Sequence, residues 1–356
     1  MNLHENTDFG RKVFFLNTTY EFQQTVVPAL FNKEYEVYTI NDYRRAKAVL
    51  KNFPDSICFI DVDDALTPNG WFNFMESFEN DEMLSTIFLG IISSTLGYAQ
   101  KMHFLMQSVV PAGFIGLNQP HDDLIEQIRN ILDLNGAKGR RRFVRADCLD
   151  DTRIGIFFDF GEKRFTARVK DISSAGLSCI VSLRYQEFFK INMLIREFSL
   201  IIDNETYKCS AAVLKAFVTG DDKLTVVIVF TQAISFNVRK SIREYLQSFL
   251  QGRITKMAHD TIPDSKDYTL SNNGSYILDE PEDAEEVTEE YIAAYNAKNA
   301  KKAEAEKAAK PEEPAAESEK PVEPASPAAE AEASAPAENA EPATESDAST
   351  DATAAN

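Results

Sequence analysis

Along the first third of the chain, short apolar runs take turns with stretches whose apolar residues fall three or four positions apart. Lys12 to Asn17 is an apolar run without alternation, which predicts a strand buried on both faces. The next stretch puts Phe22, Val26, Leu30 and Phe31 on one side of a helix. The pattern then repeats. Strands are predicted at Tyr35 to Ile40, Ser56 to Val62, Thr86 to Ile92 and Gly113 to Leu117. Helices are predicted at Tyr43 to Leu50, Trp71 to Phe78, Gln100 to Ser108 and His121 to Leu134. Strands alternating with helices in this way predict a doubly wound α/β layer.

After Asn135-Gly136-Ala137-Lys138-Gly139, which reads as a glycine helix stop and a flexible joint, the pattern becomes strand-like. Strands are predicted at Thr152 to Phe160, Arg164 to Ile172, Leu177 to Val181, Ile191 to Ile202, Glu205 to Val218 and Lys223 to Phe230. Gly161, Gly176, Asn204 and Gly220-Asp221-Asp222 punctuate them, and the hairpin spacing suits a small antiparallel barrel. Phe165, Ala167 and Val169 are expected to face inward, with Thr166, Arg168 and Lys170 outward. Asn237 to Gln251 carries Val238, Ile242, Leu246, Phe249 and Leu250 at helical spacing, with Arg239, Lys240 and Arg243 read as solvated on the other side.

The expected organisation is a flexible N-terminus at 1–10, an α/β domain at 11–135, a linker arm at 136–145, and a barrel with its helix at 146–252. An Ala/Glu/Pro-rich acidic tail, expected to be disordered, takes 253–356, with a marginal isolated helix at Val287 to Lys307. That tail changes the meaning of the charge. Of the net −19, residues 279–356 supply 22 acids against six lysines, so the rest of the chain stands near −3. A nearly balanced body is not a footprint for duplex nucleic acid. The longest apolar runs are too short to span a membrane, and the N-terminus lacks the basic and apolar regions of a signal peptide, so a cytoplasmic location is expected. Cys58, Cys148, Cys179 and Cys209 are far apart and without C-x-x-C spacing, so neither zinc nor a disulfide framework is expected. His4, His103, His121 and His259 are scattered, and neither a P-loop nor a dinucleotide glycine fingerprint occurs, which argues against an enzyme.

The chemistry concentrates at Arg140, Arg141, Arg142 and Arg145, four arginines in six residues. Guanidinium forks pair bidentately with phosphate, match the O6/N7 edge of guanine and stack on flat rings, so the cluster suits a guanine nucleotide. Arg141-x-x-x-Arg145, followed 26 residues later by Asp171-x-Ser173-x-x-Gly176, resembles the two-part signature of the PilZ domain, a bacterial receptor for cyclic di-GMP. The resemblance covers roughly residues 138 to 252. It implies a six-stranded antiparallel barrel with a C-terminal helix, whose N-terminal arm brings two arginines over a ligand lying on the strand with the second motif. It also implies that Arg141 and Arg145 contact guanine and phosphate, that Asp171 and Ser173 address the guanine edge, and that Gly176 allows the turn. Arg140 either adds a third guanidinium for a stacked pair of ligands or is simply solvated.

The first domain resembles a response-regulator receiver, with Asp61 in the position of the phospho-acceptor and Pro68-x-Gly70 after it. The acidic pair a receiver carries after its first strand is replaced by Leu16, Asn17 and Thr18, and the lysine before Pro120 is replaced by Gln119. Lacking those metal ligands and that charge, the domain reads as a pseudo-receiver, with Asp61, Asp63 and Asp64 a strand-end acidic cluster. The expected function is a non-enzymatic effector that binds cyclic di-GMP, without a metal, and changes its interdomain arrangement to signal to an unidentified protein partner. The alternative is an interaction adaptor that does not respond to nucleotide. Proteins resembling this one act in motility, surface attachment, polysaccharide export or virulence.

Overall fold

The run Val13–Leu16 is apolar at every position because the strand it forms is covered on both sides. The structure, a computed structural model, describes residues 10–161, 163–232 and 234–269. Strands β1 (Val13–Leu16), β2 (Val37–Ile40), β3 (Ile57–Asp61), β4 (Phe88–Ser93) and β5 (Gly113–Gly116) form a parallel sheet in the order β2-β1-β3-β4-β5. Successive side chains leave opposite faces of a strand. Phe14 and Leu16 accordingly join Trp71, Phe74 and Phe78 in one core, whereas Val13 and Phe15 join Phe22, Val26 and Leu124 in another. Helices α1 (Tyr20–Asn32), α2 (Tyr43–Leu50), α3 (Pro68–Glu79), α4 (Tyr98–Gln107) and α5 (His121–Leu134) alternate with the strands. Side chains of Thr19, Asp42 and Thr67 cap the first three by accepting from backbone N–H groups of the first turn.

The second domain contains β6 (Arg145–Asp147), β7 (Ile154–Phe160), β8 (Lys163–Ser173), β9 (Gly176–Ser182), β10 (Leu194–Ile202), β11 (Glu205–Gly220) and β12 (Lys223–Phe230). All pair antiparallel in the order β6-β8-β7-β10-β11-β12-β9, and a further β8–β9 ladder closes β7 to β12 into a six-stranded barrel. Along β8, Phe165, Ala167 and Val169 are buried while Thr166 and Arg168 are exposed, as the period of two requires. The expected strand from Ile191 begins instead at Leu194, because Asn192 takes a left-handed turn and donates to Val213 O.

Helix α6 (Phe236–Asp260) corrects the expected boundary at Gly252. It buries Val238, Ile242, Tyr245 and Leu246, runs through Gly252 and continues to Asp260 against the first domain. The Gln251 side chain accepts from Thr39 N and donates to Thr39 O, each at 2.9 Å, on the outer edge of β2. Arg45 Nη1 donates to Ala258 O, His259 O and Thr261 O at 2.9, 2.9 and 2.7 Å, satisfying carbonyls that a helix end leaves without intrahelical partners.

The segment after α6, expected to belong to a disordered tail, returns across α2 and α3. Asp264 N donates to Arg44 O, Asn73 donates to Tyr268 O, and the Tyr268 ring is buried against Tyr43 and Phe74. The expected flexible joint is also tied down. Gly136 adopts φ 69° to end α5, its carbonyl accepts from Arg11 N at 3.0 Å, and Ala137 is buried. One continuous apolar cluster therefore runs from Phe14 and Trp71 in the first domain to Ile228 and Ile242 in the second. Residues 1–9 and 270–356, where the flexible N-terminus, the rest of the acidic tail and the helix at Val287 to Lys307 are expected, lie outside the described residues.

Gly252 sits inside α6 with open space where a Cβ would stand. Replacing a helical glycine by alanine removes backbone freedom from the unfolded chain. Gly252→Ala is expected to raise stability by about 0.5 to 1 kcal/mol, measured as a higher denaturant midpoint with unchanged slope; a lower midpoint would contradict a continuous helix through this position.

Candidate ligand-binding site

The short strand β6 places the arginine arm. It pairs with the end of β8 in the register Arg145↔Ser173, Ala146↔Ile172 and Asp147↔Asp171, so the two motifs, 26 residues apart in sequence, become neighbouring strands. Val144 and Ala146 turn into the core, leaving Phe143 and Arg145 exposed. Arg145 Nη1 lies 3.3 Å from Asp171 Oδ1 across this ladder. The other carboxylate oxygen, Oδ2, accepts from Ser178 Oγ on β9.

A register shift between Val169 and Asp171 interrupts the β8–β9 ladder just before the second motif. Beyond it, Ser173 and Gly176 face each other across the Ser174-Ala175 turn. Ser173 Oγ donates to Gly176 O at 3.0 Å and accepts from Ala175 N at 3.4 Å, so its hydroxyl holds the turn itself. The reason for Gly176 differs from the one the resemblance implies. A Cβ there would stand 2.2 Å from Ile228 O, so glycine is required by the close approach of β12 rather than by the turn geometry.

Arg141, Arg142, Phe143 and Arg145 form one side of a groove of about 160 Å³, whose other side includes Ser173, Gly176, Leu214 and Val229. Phe143, Leu214 and Val229 are 44, 51 and 40% exposed, giving the groove an open apolar surface beside the guanidinium groups. The arrangement combines charge for phosphate with flat apolar ground for a ring. Arg140, exposed, and Asp171, half-buried behind Arg145, are not among the residues bordering the groove. Phe143, Leu214 and Val229 border the groove without belonging to either motif, and Arg142, part of the arginine cluster, lies outside the R-x-x-x-R spacing; for Leu214 and Val229 an exposed apolar residue on a strand is the available signal.

The turn and the arm are fixed from behind. Arg239 and Arg243, expected to be solvated, are instead engaged: Arg239 Nη1 donates to Ser174 O at 2.9 Å and Arg243 Nε to Glu34 Oε1 at 3.1 Å. Lys240 is exposed, with Glu244 one turn on at 3.6 Å. On the outward face of β8, Arg168 donates to Leu149 O and Asp150.

In the first domain the acidic cluster is closed by its own loops. Asp63 accepts from the Ser93 and Ser94 hydroxyls, from Ser94 N and from the Thr95 hydroxyl and N–H. Although burial opposes it, these bonds hold its carboxyl below the usual range. Asp61 is buried, and desolvation pushes its carboxyl up to about 6, with the charges of Asp63 and Asp64 adding to the effect and a bond from Asp63 N opposing it. Asn17, in place of an acid, donates to the carbonyls of Asp61 and Asp64. Among the described residues no group of three or more His, Cys, Asp or Glu side chains is placed to hold a metal ion. No helix among them is long and apolar enough to cross a membrane.

No family model matches this sequence, and no curated protein matches it. Among solved structures it is similar to K. pneumonia MrkH in complex with c-di-GMP, with 14% identity, a TM-score of 0.31, and 33% of this chain and 56% of that chain covered. It is similar to the PilZ domain of YcgR from Escherichia coli with c-di-GMP, with 13% identity, a TM-score of 0.27, and 35% of this chain and 99% of that one covered. It is also similar to a response regulator from Desulfuromonas acetoxidans, with 13% identity, a TM-score of 0.30, and 35% of this chain and 98% of that one covered. The chain spans little more than half the length of MrkH.

Two outcomes follow from these positions. Gly176→Ala forces a methyl group onto the β12 backbone and is expected to cost about 1 to 3 kcal/mol, read as a lowered denaturant midpoint; an unchanged midpoint would show that β12 yields freely. Asp61 binds its proton more tightly folded than unfolded, so stability is higher below about pH 4 and falls as pH rises through about 6. Asp61→Asn is therefore expected to gain about 2 to 3 kcal/mol at pH 7 and nothing below pH 4, as measured by urea unfolding at both pH values.

Proposed function

We propose that the protein is a non-enzymatic receptor for cyclic di-GMP of the PilZ type, binding the nucleotide in the groove between the arginine arm and the Asp171–Gly176 turn. The observation that carries this reading is the β6–β8 register, which sets Arg145 opposite Ser173 and within reach of Asp171. Arg141 and Arg145 supply the charge for a phosphodiester. Phe143 and the apolar ground at Leu214 and Val229 accept a purine ring, and Asp171 addresses the guanine edge, whose N1–H and N2–H₂ are donors. Arg140 stays outside the set that borders the groove and contributes by long-range attraction or in a second nucleotide layer.

The carboxylate of Asp171 gives the reading a mechanism. Its Oδ1 is buried and accepts no hydrogen bond, although Arg145 lies near it. A buried acceptor left without a donor is costly, whereas an ion pair with a half-exposed arginine contributes only about 0 to 1 kcal/mol. Drawing Arg145 away to a phosphate therefore gives up little and opens Asp171 Oδ1 to a guanine N–H. Ser173 and Gly176 act by holding the turn and by letting β12 pass close beneath it.

The closed cluster at Asp61 and Asp63 supports a first domain that does no phosphotransfer and serves as a structural and docking element. Its docking partner in this reading is another protein.

Isothermal titration of the full chain with cyclic di-GMP is expected to give saturable binding, and Arg145→Ala to weaken it by about 10- to 150-fold, the loss of about 1.5 to 3 kcal/mol of charge-assisted bonding. Cyclic di-AMP, whose adenine lacks both guanine donors, is expected not to compete. An absence of binding by folded protein would replace this reading with the nucleotide-independent adaptor.

A further inference from the structure

Three separate elements of the second domain converge on one carboxylate of the first. Glu34, between α1 and β2, accepts from Val144 N through Oε2 at 3.0 Å, and from Ser174 Oγ and Arg243 Nε through Oε1 at 2.7 and 3.1 Å. Its side chain is only 12% exposed. Its backbone sits at φ 66°, the left-handed position that ends α1, with its N–H donating to Phe31 O at 2.9 Å. Val144 lies inside the Arg141–Arg145 arm, Ser174 lies inside the Asp171–Gly176 turn, and Arg243 is on α6.

We propose that Glu34 is a positioning residue for the nucleotide groove, joining the arm to the motif turn and transmitting occupancy of the groove into the first domain; this rests on the function proposed above. The two halves of the groove touch the same carboxylate, one through each oxygen, so its three donors are satisfied together in one relative placement of arm, turn and helix. A ligand that draws Arg145 toward a phosphate pulls on the adjacent Val144 N–H and hence on Glu34 Oε2. The turn offers little slack, because Arg239 holds Ser174 O from the other side at 2.9 Å. The load passes to α1 and β2. A second path to β2 runs through Gln251 and Thr39, but it reaches the motif turn only along α6 by way of Arg239 and does not touch the arm. Glutamine cannot replace Glu34 in this role, since its amide would present a donor either to Val144 N–H or to Ser174 and Arg243.

Hydrogen exchange on the full chain, with and without cyclic di-GMP, tests this. In the wild type the nucleotide is expected to increase protection at 143–146, at 173–176 and at 31–40. In Glu34→Gln, affinity is expected to fall about tenfold and protection at saturation to be retained at 173–176 but lost at 31–40. Ser174→Ala, which removes one donor without stranding a buried charge, is expected to lie between them and covers the case in which Glu34→Gln does not fold. Wild-type protection confined to the barrel, or an unchanged response at 31–40 in both variants, overturns the role of Glu34 and leaves the receptor reading standing. Folded wild type with no protection anywhere, and no binding by titration, overturns the receptor reading and this inference with it.

Discussion

The placement of the arginine arm depends on one helix being anchored at both ends. The first half of α6 buries Val238, Ile242 and Tyr245 with the barrel core, while its second half is fixed to the first domain by Gln251 and by the Arg45 guanidinium. The two halves meet the first domain differently: the first through Arg243 and Glu34, the second through Thr39 and through the carbonyls of Ala258, His259 and Thr261. The apolar contribution is spread over many side chains, and the polar anchors choose the one orientation in which their donors and acceptors are all matched.

Most of the fold was legible because its periods are local. The uninterrupted apolar runs of β1 and β3 and the spacing of Phe22, Val26 and Leu30 follow directly from burial on two faces and on one stripe. Helices α2 and α5 begin and end where the residue pattern places them. What was not legible lies where contacts between distant segments override local preference. Beyond Gly252 the chain turns polar, and the apolar spacing that predicts the helix ends at Gln251, yet Gln251 and Arg45 anchor α6 on either side of the glycine, at a cost of about 1 kcal/mol for that residue. The stretch around Asp264 and Tyr268 is polar enough to pass for tail, and only the pocket formed by Tyr43 and Phe74 shows why it is ordered.

The site divides the same way. Arg141, Arg145, Asp171, Ser173 and Gly176 could be singled out because their spacing and residue types are unusual together, and the β6–β8 pairing brings both stretches to one groove. Their individual duties needed coordinates. Gly176 answers to the backbone of β12, and Ser173 spends its hydroxyl on its own turn. Arg239 and Arg243 have the look of solvated cations on a helix, and the carbonyl and carboxylate they meet belong to segments about 65 and 209 residues away. Glu34 carries no local signature at all beyond its unusual backbone angle.

The amide of Gln251 has a further consequence. A peripheral strand ordinarily offers a ladder of unmet N–H and C=O groups that can template cross-chain pairing and aggregation. On β2 the pair at Thr39 is already taken by a side chain that mimics a neighbouring strand, with the helix lying behind it as a cover. The parallel sheet is thereby sealed against strand exchange on that flank, which leaves the short β5, with a glycine at each end, as its one remaining margin.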